Sequence, residues 1–331
     1  TEQFLNNVYN YVPDETLERS ARNTMSGIWT TGSLECKLSW DGNNGSEWAS
    51  GATYAGSSWI NFWYIEYYKG ISRASTFIMN VDRCLEASAA QRKQWKAQAR
   101  ALRAFYYFMI FRSYGPFVIL GEEPIPLDIS TAELLKERNT VDECVAFMAK
   151  EFDDAANELP DRYDGSNLGR IDRAACKAFK AKMLLYAASP INNPRPGDPD
   201  KFSDLVDYDG NCLMSQEYNE YKWARAAAAA RDVMELPGEN NGHRYELYHK
   251  KATTIAEPGY PATITPYQDG DFSAKTWNEG GYSDIDPYES YRAVFNGSLA
   301  MYQNPELIFS RGRNQGANSI AEMVKLQMPK T

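Results

Sequence analysis

Aromatic and amide side chains crowd one short segment near the start of the chain. It lies within a region, 36–58, that is rich in Gly, Asn and Ser. Indole rings offer an apolar face and a polar N–H, and amides and carboxylates both form hydrogen bonds. This combination is the chemistry of reversible ligand binding at a wet surface. The predicted binding residues in this region are Trp40, Asp41, Asn43, Asn44 and Trp48.

A second polar region, 257–290, repeats this mixture without a helical or strand period. Its Pro, Gly and Asp residues indicate a long loop, and its predicted binding residues are Tyr267, Trp277 and Tyr282. Across the chain, Tyr and Trp together outnumber Phe by 30 to 14, so the aromatic content is biased toward amphipathic rings. We therefore predict that both regions contribute binding residues.

Catalytic chemistry has little support in the sequence. The nucleophile-elbow, phosphate-loop, zinc-protease and dinucleotide motifs are all missing. Glycoside hydrolysis needs only two carboxylates, and Asp41 with Glu47 or Asp284 with Asp286 are nominal pairs. Acidic residues in polar loops are usually just solvated, so we predict that the chain is not an enzyme.

Metal and cofactor sites are not predicted either. Asp41, Asn43 and Glu47 resemble a fragment of a calcium loop, but the full EF-hand pattern and its terminal glutamate are absent. A solvated turn is the preferred interpretation. The five cysteines are scattered, and His243 and His249 would lie on different faces of a helix, so neither set predicts a zinc site.

Charge and hydropathy limit the class of protein. The 331 residues carry a formal net charge of −9 at pH 7, so we predict no nucleic-acid partner. No run approaches the ~20 consecutive apolar residues that a membrane-spanning helix needs. A hydrophobic fraction of 43% and a charged fraction of 24% are typical of a globular chain with a real core.

Helical periodicity indicates the elements that would position the two polar regions. Apolar residues recur three and four positions apart over about 59–190 and 217–236. Thr140 followed by Glu143 predicts a capping box, and Asp172 is predicted to start a further helix. Gly–Pro and Ser–Pro pairs predict helix ends.

A weak internal repeat accompanies these helices. The segments around Phe105 and Phe179 align at an offset of 74 residues, about two tetratricopeptide units plus an insertion. The predicted fold class is therefore mainly α, with irregular tetratricopeptide-like helical hairpins and long aromatic-rich loops. Short apolar runs at 117–120 and 307–309 are candidate strands.

Several conspicuous side chains are predicted to be structural. Trp59 and Trp63 lie four residues apart at the start of a helix, which favours packing in the core over ligand binding. Arg100 and Arg103 stand among aromatic residues, and we interpret them as ions paired between helices.

Segments in order along the chain resemble the SusD/RagB family, the nutrient-binding outer-membrane lipoproteins of Bacteroidetes. In combination and in this order the matches are specific, and they span nearly the whole chain. The matching segments are YKGISRA at 68–74, ARALRAFYY at 99–107, RSYGPFV at 112–118, GRIDRAA at 169–175 and NPELIF at 304–309.

The resemblance implies a protein of the outer membrane and cell surface. It implies one SusD-like domain over 1–331 that lacks material at both ends, with an N-terminal lipid anchor outside this chain. The implied function is to bind oligosaccharides or polysaccharide and to deliver them to a TonB-dependent, SusC-like transporter. Sugars present flat C–H faces that stack on Trp and Tyr rings, while their hydroxyls take hydrogen bonds. Two alternatives stay open: peptide uptake, as in the RagB branch, and glycan degradation.

Overall fold

The computed structural model describes residues 1–13, 44–54, 56–123, 125, 128–163, 167, 169–198, 201–238, 242–252, 270–295, 298–299 and 303–309. Two compact units divide the chain, Thr1–Glu235 and Leu236–Thr331. The single domain over 1–331 stays a prediction, and each unit is described by itself.

Helices dominate the described part of the first unit, which confirms the predicted mainly α fold. They are α1 (Glu2–Tyr9), α2 (Asn44–Ala49), α3 (Ser58–Asn80), α4 (Ala89–Tyr114), α5 (Thr131–Leu134), α6 (Val141–Glu158), α7 (Arg173–Ala188) and α8 (Glu220–Met234). Successive long helices pack together: α3 on α4, α4 on α6, α6 on α7 and α7 on α8. Helices that follow one another in sequence are thus neighbours in space, as in stacked helical hairpins.

Helix α4 is the centre of this unit. Over 97–111 nearly every side chain is buried, so this part of the helix has neighbours on all sides. The Tyr106 hydroxyl donates to the Val8 carbonyl oxygen of α1. Gly70 of α3 lies against the Tyr106 ring, where a Cβ would come within 2.9 Å of two ring carbons. Gly70 therefore allows α3 to approach α4 closely.

Two arginines form the polar centre of this core. Arg103, whose side chain is 3% exposed, donates from Nε and Nη2 to one oxygen of Glu151 at 3.0 and 2.5 Å. Arg100 donates to the other Glu151 oxygen at 2.7 Å, and both arginines donate to Glu122. An unpaired buried charge is strongly destabilising, so this neutral set ties α4 to α6. The predicted role of Arg100 and Arg103 as interhelical ions is confirmed.

Helix ends follow the local signals in the sequence. The predicted capping box at the start of α6 is present, with the Glu143 N–H donating to Thr140 Oγ1 at 3.3 Å and Glu143 Oε2 accepting from the Thr140 N–H at 2.8 Å. The Ala175 N–H donates to Asp172 Oδ1 at 2.8 Å, so Asp172 caps α7 as predicted. Gly115 ends α4 with φ at +72°, where glycine is favoured.

The candidate strands at 117–120 and 307–309 are wrong, because neither segment forms a strand. Around 117–120 the backbone groups bond to side chains and a loop. The Ile119 N–H donates to Asn139 Oδ1 at 3.0 Å, the Leu120 N–H donates to the Tyr107 hydroxyl at 2.9 Å, and the Phe117 carbonyl accepts from the Asn139 N–H. These partners take the place of a neighbouring strand.

Of the two tryptophans of α3, the structure describes the side chain of one. Trp63 is 3% exposed, which confirms its predicted place in the core. The side chain of Trp59 lies outside the described part of the structure, so its role stays a prediction.

The second unit contains short elements. These are α9 (Gly270–Ala274), a 3₁₀ turn (Trp277–Glu279) and α10 (Pro287–Phe295). Isolated antiparallel bridges join Pro237 to His243 and Lys251 to Ile285. In neither unit does a described helix combine the length and the apolar character needed to cross a membrane.

We predict that Glu151→Gln lowers the free energy of unfolding by about 3 kcal/mol, because Arg100 and Arg103 then share a single carboxylate, that of Glu122. Urea unfolding measures this change. Asp154→Asn, one turn later on α6, is the control, since the pair between Asp154 and Lys150 is largely exposed and should contribute less than about 1 kcal/mol. Equal losses in the two variants would contradict the structural role of the buried pair.

Glu143 gives a pH-dependent prediction. The Thr140 backbone N–H and hydroxyl stabilise the carboxylate and lower the pKa of Glu143 below its usual 4.5. The folded pKa is the lower one, so this stabilisation is complete above the unfolded pKa and is lost as pH falls through the folded pKa. The difference in unfolding free energy between wild type and Glu143→Ala should therefore be largest at neutral pH. Urea unfolding at several pH values tests this, and a difference that stays constant into acid would contradict it.

Candidate functional site

Trp48 lies in the first unit on α2, and not in an irregular loop as predicted. Its side chain is 43% exposed. Glu47 lies in the first turn, where the positive end of the helix dipole stabilises a negative side chain. Gly51 follows with φ at +71°, and its N–H donates to the Trp48 carbonyl at 3.1 Å. A short capped helix thus presents this indole at the surface.

Trp277 opens the 3₁₀ turn of the second unit. The Glu279 carboxylate accepts from the Thr276 N–H at 2.9 Å and from its hydroxyl at 2.8 Å, and these bonds lower the pKa of Glu279. Gly280 ends the turn in the left-handed region with φ at +82°. The backbone N–H of Trp277 donates to Asp284 Oδ1 at 2.7 Å. The backbone that carries the indole is therefore held at both ends.

Gly281 has a different role from Gly280. A Cβ at Gly281 would overlap the carbonyl oxygens of Phe272 and Lys275, whereas a Cβ at Gly280 would meet nothing within 4 Å. The chain crosses its own backbone here, and the Tyr282 N–H donates to the Phe272 carbonyl at 3.1 Å. Only glycine at position 281 allows this crossing.

His249 packs on Trp277, a contact that the sequence did not predict. The two ring centroids lie 4.6 Å apart with an interplanar angle of 24°, so the rings are stacked. The extended segment that carries His249 is tied to the Trp277 loop. The Ala252 N–H donates to the Asp284 carbonyl at 2.9 Å, and the Asp286 N–H donates to the Lys250 carbonyl at 2.8 Å. One face of the indole is thereby covered by an imidazole.

The two nominal catalytic carboxylates of the second unit have backbone partners. Asp284 accepts the Trp277 N–H, and Asp286 Oδ1 accepts the Glu289 N–H at the start of α10 at 2.9 Å. Both side chains therefore hold the loop and the helix in place. Among the described residues, no group of three or more His, Cys, Asp or Glu could hold a metal ion.

Further aromatic rings are exposed on α10. Tyr291 is 72% exposed and Phe295 is 62% exposed, with ring centroids 4.9 Å apart. Tyr288, on the same face of the helix, is 36% exposed. The second unit therefore offers several aromatic surfaces to a ligand.

The predicted binding residues fall into three groups. Trp277 and Tyr282 share one folded loop, and Tyr282 is half-buried. Trp48 and Asn44 lie on α2, and the side chain of Asn44 lies outside the described part of the structure. Outside the described residues lie Trp40, Asp41, Asn43 and Tyr267. The structure adds His249, whose sequence signal is its position close to Tyr245 and Tyr248.

Comparisons with known proteins agree with this fold. Residues 1–185 match the profile of the SusD-like family described as starch-binding and associating with the outer membrane. Among curated proteins, none matches the sequence.

Solved structures add three similar folds. The protein designated BT4246 is 28% identical with a TM-score of 0.53, covering 76% of this chain and 41% of that one. A SusD-like protein from Bacteroides fragilis is 16% identical with a TM-score of 0.50, covering 75% and 38%. A laminarin-binding SusD-like protein is 18% identical with a TM-score of 0.50, covering 74% and 45%. The matched part of the chain thus covers 38–45% of the length of these proteins.

The two neighbouring glycines give a test of the loop. We predict that Gly281→Ala displaces the Trp277 ring, because the new Cβ would overlap two carbonyl oxygens, whereas Gly280→Ala adds only the ~1–2 kcal/mol of a left-handed alanine. The ¹⁹F spectrum of 5-fluorotryptophan-labelled protein, with Trp277 assigned from Trp277→Phe, measures the displacement. A Trp277 signal that moves equally in both variants would contradict the described crossing.

Proposed function

Since the chain belongs to the SusD-like family of starch-binding, outer-membrane-associated proteins, we propose that it captures oligosaccharides at the cell surface. The observation that carries the proposal is the fixed position of Trp277, held by His249 on one ring face and by Asp284 at its backbone. A sugar ring would stack on the other face of the indole, and nearby polar groups would bond to its hydroxyls.

Rigid positioning matters because it lowers the entropic cost of binding. An indole already held by a ring and a backbone hydrogen bond loses little further freedom when a sugar contacts it. The exposed rings of Tyr288, Tyr291 and Phe295 on α10 would extend the contact for a longer glycan. In the first unit, taken by itself, Trp48 is a further exposed aromatic residue that we propose as a sugar contact.

We further propose that capture involves no catalysis. The carboxylates of Asp284 and Asp286, the nominal catalytic pair, accept backbone N–H groups. These bonds, made through Oδ1 of each carboxylate, favour a structural role for both side chains over that of a general acid or base.

Delivery to a SusC-like, TonB-dependent transporter and attachment through an N-terminal lipid are proposed from family membership. Exchange of a bound glycan with a transporter requires a surface-held protein with reversible affinity. Co-purification of the chain with the SusC-like protein of its own genome is the direct test of this partnership.

The ligand is sought by isothermal titration calorimetry against oligosaccharides and peptides, with product analysis of every incubation. Laminarin oligosaccharides are tested first, because one structural neighbour is a laminarin-binding protein. We predict binding of a glycan without shortened products, and a loss of about tenfold in affinity for Trp277→Ala, equivalent to ~1.4 kcal/mol. Trp48→Ala should also weaken binding.

Tyr208→Ala is the matched control, since Tyr208 is an aromatic residue of the first unit that is 83% exposed. It should bind like wild type. Unchanged affinity in both tryptophan variants would overturn the site. Binding of peptides alone would assign the chain to the RagB type of uptake, and shortened products would overturn the non-catalytic role.

A further inference from the structure

A cavity of about 330 Å³ lies in the first unit, between the first turns of α4 and the end of α6. Its volume is at the lower end of the ~300–1,000 Å³ that is typical of small-molecule sites. Ala97, which is 4% exposed, supplies only a methyl group, so space remains between the helices. The lining residues are Lys93, Lys96, Ala97, Arg100, Asp154, Asn157 and Glu158.

The two walls of this cavity carry opposite charges. On α4, the cationic residues Lys93, Lys96 and Arg100 are spaced by three and four positions, which puts them on one face of the helix. On α6, the anionic residues Asp154 and Glu158 are spaced by four positions and also share a face. A ligand between the helices would meet ammonium and guanidinium groups on one side and carboxylates on the other.

Each lining charge already has a counter-ion in the protein. Lys93 pairs with Glu158 at 2.5 Å, which joins the two walls, and Lys96 pairs with Asp82 at 2.7 Å. Arg100 pairs with Glu151 and Glu122, and Asp154 pairs with Lys150. The cavity therefore has little net charge, so a simple anion or cation gains little there. A ligand that carries both signs can interact favourably with both walls.

Arg100 is oriented so that it can bind the negative end of such a ligand. Two of its five N–H groups donate to Glu151 and Glu122, at 2.7 and 2.9 Å, and the other three have no acceptor among the described residues. The two carboxylates fix the guanidinium plane, and the side chain is 22% exposed. A fixed guanidinium with unused donors is well suited to bind a carboxylate.

We propose that this cavity binds a small zwitterion that carries an ammonium and a carboxylate group, the chemistry of a free amino acid. The carboxylate contacts Arg100 and Lys96, and the ammonium contacts Asp154 and Glu158. At the pair between Lys93 and Glu158, the ligand ammonium takes the place of Lys93 and the ligand carboxylate takes the place of Glu158, so the number of ion pairs is kept. This site is separate from the glycan proposal and does not depend on it.

The test is isothermal titration calorimetry of the full chain with glycine, L-glutamate, L-lysine and L-phenylalanine, each beside its N-acetyl amide. At least one free amino acid should bind saturably, and its N-acetyl amide, which lacks the backbone ammonium and carboxylate, should not. Ala97→Leu adds three carbon atoms to the wall of the cavity without a change of charge and should weaken binding. Lys96→Gln should weaken binding by roughly tenfold. Arg231→Gln, which breaks an exposed pair with Glu235 on α8, is the control and should bind like wild type.

Absence of binding by all four amino acids to wild type would overturn the proposal. Equal binding of the N-acetyl amides, or an affinity that Ala97→Leu leaves unchanged, would also overturn it. Far-UV circular dichroism checks the fold of each variant. If Ala97→Leu does not fold, the test is the comparison of the affinities of Lys96→Gln and Arg231→Gln. Equal affinity in those two variants would overturn the site.

Discussion

Burial of α4 on nearly all sides determines the arrangement of the first unit. A helix with aromatic and apolar residues around its whole circumference needs neighbours on every side, and α1, α3 and α6 supply them. Arg103 on this buried helix needs a carboxylate, and Glu151 of α6 provides it. The ion pair therefore limits where α6 can lie, because a shift of the helix would leave a charge unpaired away from water.

In the second unit, backbone geometry has the same determining role. Asp284 holds the Trp277 N–H with its side chain and the Ala252 N–H with its carbonyl, so one residue joins the two segments that bear the stacked rings. Gly281 allows the backbone to cross near Phe272. The indole is placed by main-chain contacts, and its polar neighbours serve mainly to hold it.

Features that depend on nearby residues could be predicted from the sequence. The capping box of Thr140 and Glu143, the cap at Asp172 and the periodic helices all depend on residues within one or two turns. The helix around Trp48 and the lack of a strand at 117–120 could not be predicted, because a six-residue helix has little periodicity and Asn139 is distant in sequence from Ile119. The stack of His249 on Trp277 depends on a fold of the chain that no local pattern specifies.

The central claim is that Trp277 is a contact point for a captured glycan. Titration of 5-fluorotryptophan-labelled protein with the oligosaccharide that it retains, followed by ¹⁹F NMR, tests this most directly. If Trp277 contacts the glycan, its resonance should show a saturable shift, with the same midpoint as the calorimetric isotherm, while the buried Trp63 resonance stays in place. A Trp277 resonance that does not move at saturating glycan would show that Trp277 is not a glycan contact.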